Sequence, residues 1–250
     1  FIADDLDHTI TVLDNKGAQL NKIGRHGNSP GEFSYLDCVI TDSEGRMYIA
    51  DTGNNRVQVL DSQGEFLNEI GKWKTFGRFK NPRDLSFDSQ GNLFVTDWGN
   101  HCIRVFDRNF NFIKTIGKKG KNPGEFLNPI CLTHDANDRL YVSDFKNHRI
   151  QVFDPKGNFI SIIGGKGSAP GEFRHPVGVA FNSRGSLFVS DRNNHRVQVF
   201  TADGRFEYSF GKDGEGKGEF HKPADLDLDR NDRLYVVDKG NRRIQVFEVQ

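Results

Sequence analysis

A column of aspartates constrains this chain more than any other feature. Asp4, Asp51, Asp97, Asp144, Asp191 and Asp238 recur at spacings of 47, 46, 47, 47 and 47 residues, and the sequence around each aligns with the rest. A typical unit reads "HPVGVAFNSRGSLFVSDRNNHRVQVFTADGRFEYSFG". In it "VGVAF", "LFVSD", "RVQVF" and "FEYSF" are β-forming runs separated by Asn/Asp/Ser-x-x-Gly turns. One four-stranded sheet cannot bury both faces alone. A period near 47 therefore predicts sheets stacked around a closed ring: an all-β, six-bladed β-propeller of four-stranded antiparallel blades. The 22 Phe and 27 Gly, without a sustained helical apolar period, agree with short strands and tight turns.

The repeat places the blades in a single domain at 1–24 (partial), 35–71, 82–117, 129–164, 176–211 and 223–250 (partial). Residues 1–24 supply the second, third and outermost strands of their blade, and 223–250 the inner three, giving 22 of 24 strands. The two strands still expected belong to a segment of roughly 25 residues upstream of Phe1, because an open seam leaves sheet edges unpaired.

The units "GEFRHPVGVAF…GSLFVSDRNNHRVQVF" and "GEFLNPICL…DRLYVSDFKNHRIQVF" resemble NHL repeats, with the signature triplet standing as Asn147-His148-Arg149 and Asn194-His195-Arg196. That resemblance covers essentially the whole chain. It implies a propeller like those at the C-termini of tripartite-motif ubiquitin ligases, some of which resemble RNA readers while others recruit proteins. Any ligase chemistry would lie in upstream domains, so the chain itself is expected not to be an enzyme.

Cys38, Cys102 and Cys131 are odd in number and lack metal-site spacing, which fits reduced structural thiols and a cytoplasmic protein. No apolar run approaches membrane length, and neither a membrane nor a cofactor is expected. The isolated domain is expected to be monomeric.

Most repeated polar residues read as structural. Each Asp of the column, followed two to four residues later by Asn, fits turn chemistry in which carboxylate oxygens satisfy loop amides. His8, His101, His148 and His195 also share a column. Equivalent positions on different blades cannot converge away from the ring axis, so no metal is expected there and a loop-bracing role is. Glu32 and Arg56, Glu125 and Arg149, Glu172 and Arg196, and Glu219 and Arg243 are each 24 residues apart. Where Cys102 replaces the Arg, Arg78 replaces the Glu. This paired loss predicts that each Glu and Arg form a salt bridge pinning linker to blade, since a buried charge left alone costs several kcal/mol.

Function is expected where one face of the repeat varies, in the loops from second to third strand and in the linkers. Residues 71–121 hold 11 Lys/Arg against 4 Asp in a chain of zero net charge. Lys72, Lys74, Arg78, Lys80 and Arg83 lie in one linker, interleaved with Trp73, and Lys118, Lys119 and Lys121 in the next. Trp98, Phe145, Arg192 and Lys239 follow the Asp in successive blades, with Lys146 beside Phe145. Cations for phosphates beside rings for bases are what single-stranded RNA binding uses. Single-stranded RNA is the expected partner, in a post-transcriptional role. Asp37, Asp84 and Asp225, near the inner rim, would repel phosphate and support the alternative of a protein-docking platform.

Overall fold

The structure, a computed structural model, describes residues 1–71 and 78–249. Two compact units divide the chain, Phe1–Thr115 and Ile116–Gln250. In the first, β1 (Ile2–Asp4), β2 (Thr9–Leu13) and β3 (Gln19–Ile23) form a three-stranded sheet. The second sheet comprises β4 (Leu36–Thr41), β5 (Met47–Asp51), β6 (Arg56–Leu60) and β7 (Phe66–Ile70). The third comprises β8 (Pro82–Phe87), β9 (Leu93–Asp97), β10 (Cys102–Phe106) and β11 (Phe112–Ile116). The second unit holds the fourth sheet, with β12 (Pro129–His134), β13 (Leu140–Asp144), β14 (Arg149–Phe153) and β15 (Phe159–Ile163). Its fifth has β16 (Pro176–Phe181), β17 (Leu187–Asp191), β18 (Arg196–Phe200) and β19 (Phe206–Phe210). The three-stranded sixth has β20 (Leu226–Leu228), β21 (Arg233–Asp238) and β22 (Arg243–Glu248). Neighbouring strands are antiparallel throughout each sheet.

Burial explains the composition of the strands. Every residue of β5, β6, β9, β10, β13, β14 and β17 is buried, because these strands are covered on both faces. The outermost strands β3 and β15 are exposed except for a final Ile. Within each unit the core lies between successive sheets. Val57, Val59 and Ile70 meet Phe79, Leu85 and Phe106 in the first unit, and Tyr141, Val152 and Ile163 meet Phe173, Val189 and Phe200 in the second. The Phe of each linker is a wedge in this core: Phe33, Phe126, Phe173 and Phe220 are wholly inaccessible and Phe79 nearly so. A buried Phe contributes roughly 1.5–3 kcal/mol. Gly164, at φ +77°, makes room for one of them, since a Cβ there would sit 2.4 Å from the Phe173 ring.

The aspartates that end the second strands are the polar centres of the sheets. Asp51, Asp97, Asp144, Asp191 and Asp238 have no solvent exposure. Oδ1 of each accepts the main-chain N–H of a linker residue, namely Ser34, Lys80, Leu127, Arg174 and His221 in turn, at 2.7–2.8 Å. Oδ2 accepts Nδ2 of Asn54, Asn100, Asn147, Asn194 and Asn241. A guanidinium completes the set: Nε of Arg56, Arg149, Arg196 and Arg243 lies 2.6–2.9 Å from Oδ2. Burial pushes the Asp144 and Asp191 carboxyls above their usual range, against the pull of these donors.

This network corrects the expected pairs Glu32–Arg56, Glu125–Arg149, Glu172–Arg196 and Glu219–Arg243. Each Arg Nη2 donates to the main-chain carbonyl of the Glu, at 2.8–3.0 Å, rather than to its carboxylate. The carboxylate turns back to cap its own loop, accepting the N–H of Ser29, Asn122, Ala169 or Gly216. Two demands separate the side chains: Asp already holds the guanidinium, and the tight linker turn needs an acceptor for its amide. Hydrogen bonds from the loop amides chiefly hold Glu32, Glu125 and Glu219 below the usual carboxylate range, with Arg25, Lys118 and Lys212 helping.

The third sheet keeps its guanidinium by another route. Cys102 stands opposite Asp97 in the register where the other sheets have Arg. Arg104, two residues on and so on the same face, donates Nε to Asp97 Oδ2 at 2.5 Å. Gln58, Gln151, Gln198 and Gln245 hold that position elsewhere and bridge Asp to the Glu carbonyl. Cys102 becomes an inert thiol, its pKa pushed up to about 12 by burial, and all three cysteines are buried and outside any disulfide.

Replacing Asp191 by Ala is expected to destabilise the protein by about 3–5 kcal/mol, because Arg196 is left partly buried without its carboxylate. Urea denaturation monitored by tryptophan fluorescence and circular dichroism measures the loss.

Candidate functional site

Between second and third strands the chain makes one turn of 3-10 helix, at Thr52–Asn54, Phe145–Asn147, Arg192–Asn194 and Lys239–Asn241. The residue closing each turn is left-handed: Asn55 at φ 56°, His148 and His195 at 57°, Arg242 at 52°. Side-chain hydrogen bonds stabilise these positions. Nδ1 of His8, Oδ1 of Asn55 and Nδ1 of His148 accept the main-chain N–H of Tyr35, Asn81 and His175 at 3.0, 2.8 and 3.1 Å. His8 and His148 thus brace their turns against the following linker, the role expected of their column, and Asn55 does the same in the second sheet.

In the second unit the turns and linkers enclose an open hollow of about 450 Å³. Its walls are Phe145, Arg174, His175, Arg192, Asn193, His195 and Lys222. The backbone is rigidly placed: Arg174 donates its N–H to Asp191 at 2.8 Å, and its carbonyl accepts the N–H of Asn193 at 2.9 Å. His175 Nδ1 lies 2.8 Å from Asn193 Nδ2, its ring 4.6 Å from Phe145 and 4.3 Å from His148. No lining residue is acidic. Burial first, then the charges of Arg192, Arg174, Lys166 and Lys146, hold His175 below the ordinary imidazole range. His148 is lowered by burial, His175, Lys166 and Arg174. Cations gathered around neutral imidazoles and one half-buried aromatic ring make a place for an anion beside a stacking surface.

Of the residues expected at the site, Phe145 and Arg192 line this hollow. Lys146 is exposed on the turn next to it, and Lys239 is exposed on the corresponding turn of the sixth sheet. Lys118, Lys119 and Lys121 are exposed, with Lys118 3.5 Å from Glu125. In the first unit Arg78 and Lys80 are exposed, while Arg83 lies 3.2 Å from Asp37 and over the Trp98 ring at 5.2 Å. Asp37 therefore offsets the Arg83 charge. Lys72, Trp73 and Lys74 lie outside the described residues. Arg174, His175 and Lys222 were missed, though their signal was present. The two residues after the core Phe read Ser-Tyr, Lys-Asn, Leu-Asn, Arg-His and His-Lys in successive repeats, and such variation at a repeated position marks a free surface.

With six antiparallel sheets and this arrangement of turns, the chain belongs to the family described as 6-bladed beta-propeller, whose model matches residues 1–71, 129–182 and 178–250. An NHL repeat is matched at residues 79–106. No curated protein matches the chain. Among solved structures it is similar to a streptogramin B lyase at 14% identity and TM-score 0.70, over 98% of this chain and 78% of that one. A catalytically inactive virginiamycin B lyase from Staphylococcus aureus with quinupristin gives the same identity and TM-score, over 98% and 79%. An auxiliary nutrient binding protein from Bacteroides thetaiotaomicron is similar at 16% identity and TM-score 0.71, over 97% of this chain and 65% of that one. At these identities the likeness is one of fold.

The His148 brace needs an unprotonated Nδ1, and its pKa lies below the ordinary value of 6.5. As pH falls through and below that value the unfolded chain takes up the proton before the folded one, so stability is lost toward acid and retained above. Asn55 performs the same task without titrating. His148→Asn should therefore keep the neutral-pH melting temperature and make its fall between about pH 7.5 and 5.5 shallower by roughly 2 °C. Scanning calorimetry across that range checks this.

Proposed function

We propose that this propeller is a non-catalytic recognition module that binds single-stranded RNA through the hollow of the second unit, as the targeting part of a larger cytoplasmic protein of the tripartite-motif NHL kind. The observation that carries this reading is the convergence of Arg174, Arg192 and Lys222 on Phe145 and His175 with no acidic residue in the lining. The guanidinium and ammonium groups would take backbone phosphates, and the Phe145 and His175 rings a splayed base. Exposed Lys118, Lys119, Lys121, Lys146 and Lys239 would extend the contact along the strand. Arg83, already matched by Asp37, contributes less than its place in the basic linker implied.

Three cations engaging phosphate give a salt slope of about −2, so raising salt fourfold, from about 50 to about 200 mM, should weaken RNA binding roughly 16-fold. Fluorescence anisotropy with an RNA drawn from a random-pool selection measures it. Arg174→Glu with Arg192→Glu should lower affinity at least about tenfold at fixed salt. A selection that yields no bound RNA, or binding indifferent to this double variant, would replace the reading by the protein-docking platform.

A further inference from the structure

We propose that His195, Asp213 and His221 form a binding site for a divalent first-row transition metal ion of the zinc type. Nδ1 of His195 and Nδ1 of His221 each lie 2.9 Å from the same oxygen, Asp213 Oδ1, and the three ligand atoms fall within 4.8 Å of one another. Metal bonds to imidazole nitrogen and carboxylate oxygen are about 2.0–2.2 Å, so two ligands on one ion stand roughly 2.8–3.6 Å apart between octahedral and tetrahedral angles. Both nitrogen–oxygen separations fall within that range. No metal was expected anywhere in the chain, since members of the histidine column on different blades cannot converge; here two linker residues come against one of its members.

The ligands sit on fixed backbone. His195 closes the turn Arg192–Asn194 in the left-handed conformation. His221 donates its N–H to buried Asp238 at 2.7 Å and accepts that of Gly240 at 2.8 Å. Asp213 pairs with the buried wedge Phe220 in a parallel bridge. Sites held by rigid elements lose little entropy on binding.

A separate observation is the state of the brace. His8 and His148 accept the linker N–H at 3.0 and 3.1 Å, but His195 accepts that of Lys222 at 3.4 Å. Its Nδ1 is drawn instead to the carboxylate. In its Nδ1–H tautomer each imidazole donates to that oxygen, and in the other tautomer its lone pair faces the oxygen. A divalent ion among them takes the place of the protons and satisfies all three atoms at once.

The repeat shows that the ligand set is peculiar to this place. His26, Trp73, Lys119 and Lys166 hold the position of Asp213 in the other copies, and Ser34, Lys80, Leu127 and Arg174 that of His221. Two nitrogens and one oxygen suit zinc, nickel or cobalt rather than calcium or magnesium, which take oxygen. With Asp213 and His221 side chains 63% and 43% exposed, the remaining positions are open to water. The nearby Lys222 charge, one of the groups acting on the Asp213 carboxylate, opposes the ion.

The test is titration of the tag-free protein with Zn²⁺ by calorimetry and with Co²⁺ by visible absorption, at pH about 7.5. One equivalent should bind, and the His195 and His221 ring signals in NMR should shift together. His221→Ser and Asp213→Lys introduce residues that other repeats tolerate at the same positions, so folding should persist. Each should weaken the metal at least about tenfold, while His26→Ala leaves it unchanged. Failure of wild type to take up a stoichiometric ion at about 100 μM, or uptake equal in the two ligand variants, overturns the proposal. The readout is metal alone and is independent of RNA binding.

Discussion

The buried carboxylates of Asp51, Asp97, Asp144, Asp191 and Asp238 are the interaction on which the rest of the structure depends. A lone ionised Asp with no solvent exposure would be untenable. Surrounded by a linker amide, an Asn amide and a guanidinium, it becomes the point where strand, turn and linker are joined. The guanidinium then reaches on to two linker carbonyls, as Arg196 does to Ala169 and Glu172. Removing any member strands the others in a site that water does not reach.

The third sheet shows that this demand is for a charge at a place, not for a residue at a number. Arg104 replaces the Arg–Gln pair of the other sheets from two positions along the same strand face, and Cys102 fills the vacated space. Period-two geometry makes the exchange possible. With the turns anchored, the residues beside the anchors are free to differ from copy to copy. Phe145, Arg174, Arg192 and Lys222 line the hollow, and His195, Asp213 and His221 converge beside it, because the backbone under them is specified by something else.

Much of this was legible in the chain itself. The Asp column gave the period, the period gave four strands a unit, and the Phe column gave the wedges. The bracing histidines were recognisable from their position alone. The Glu and Arg columns were read as partners, correctly in that the Arg holds the linker and wrongly in the atoms involved. Spacing cannot tell a carboxylate from the carbonyl of the same residue. Charge density along the sequence also pointed to Arg83, and only the structure shows its charge met by Asp37 from the preceding sheet, 46 residues away.

The sequence alone determined the repeat, the strand content and the structural duty of the conserved-looking columns, because those follow from local pattern and from what must be buried. Only the tertiary structure decided which variable residues meet. Arg174, Arg192 and Lys222 come from separate linkers and turns, as do His195, Asp213 and His221, and their convergence is fixed by how one sheet lies against the next. Side-chain neighbours across that packing have no signature in either repeat or composition, since distance in space there is set by the core Phe wedges and the Asp anchors rather than by separation along the chain.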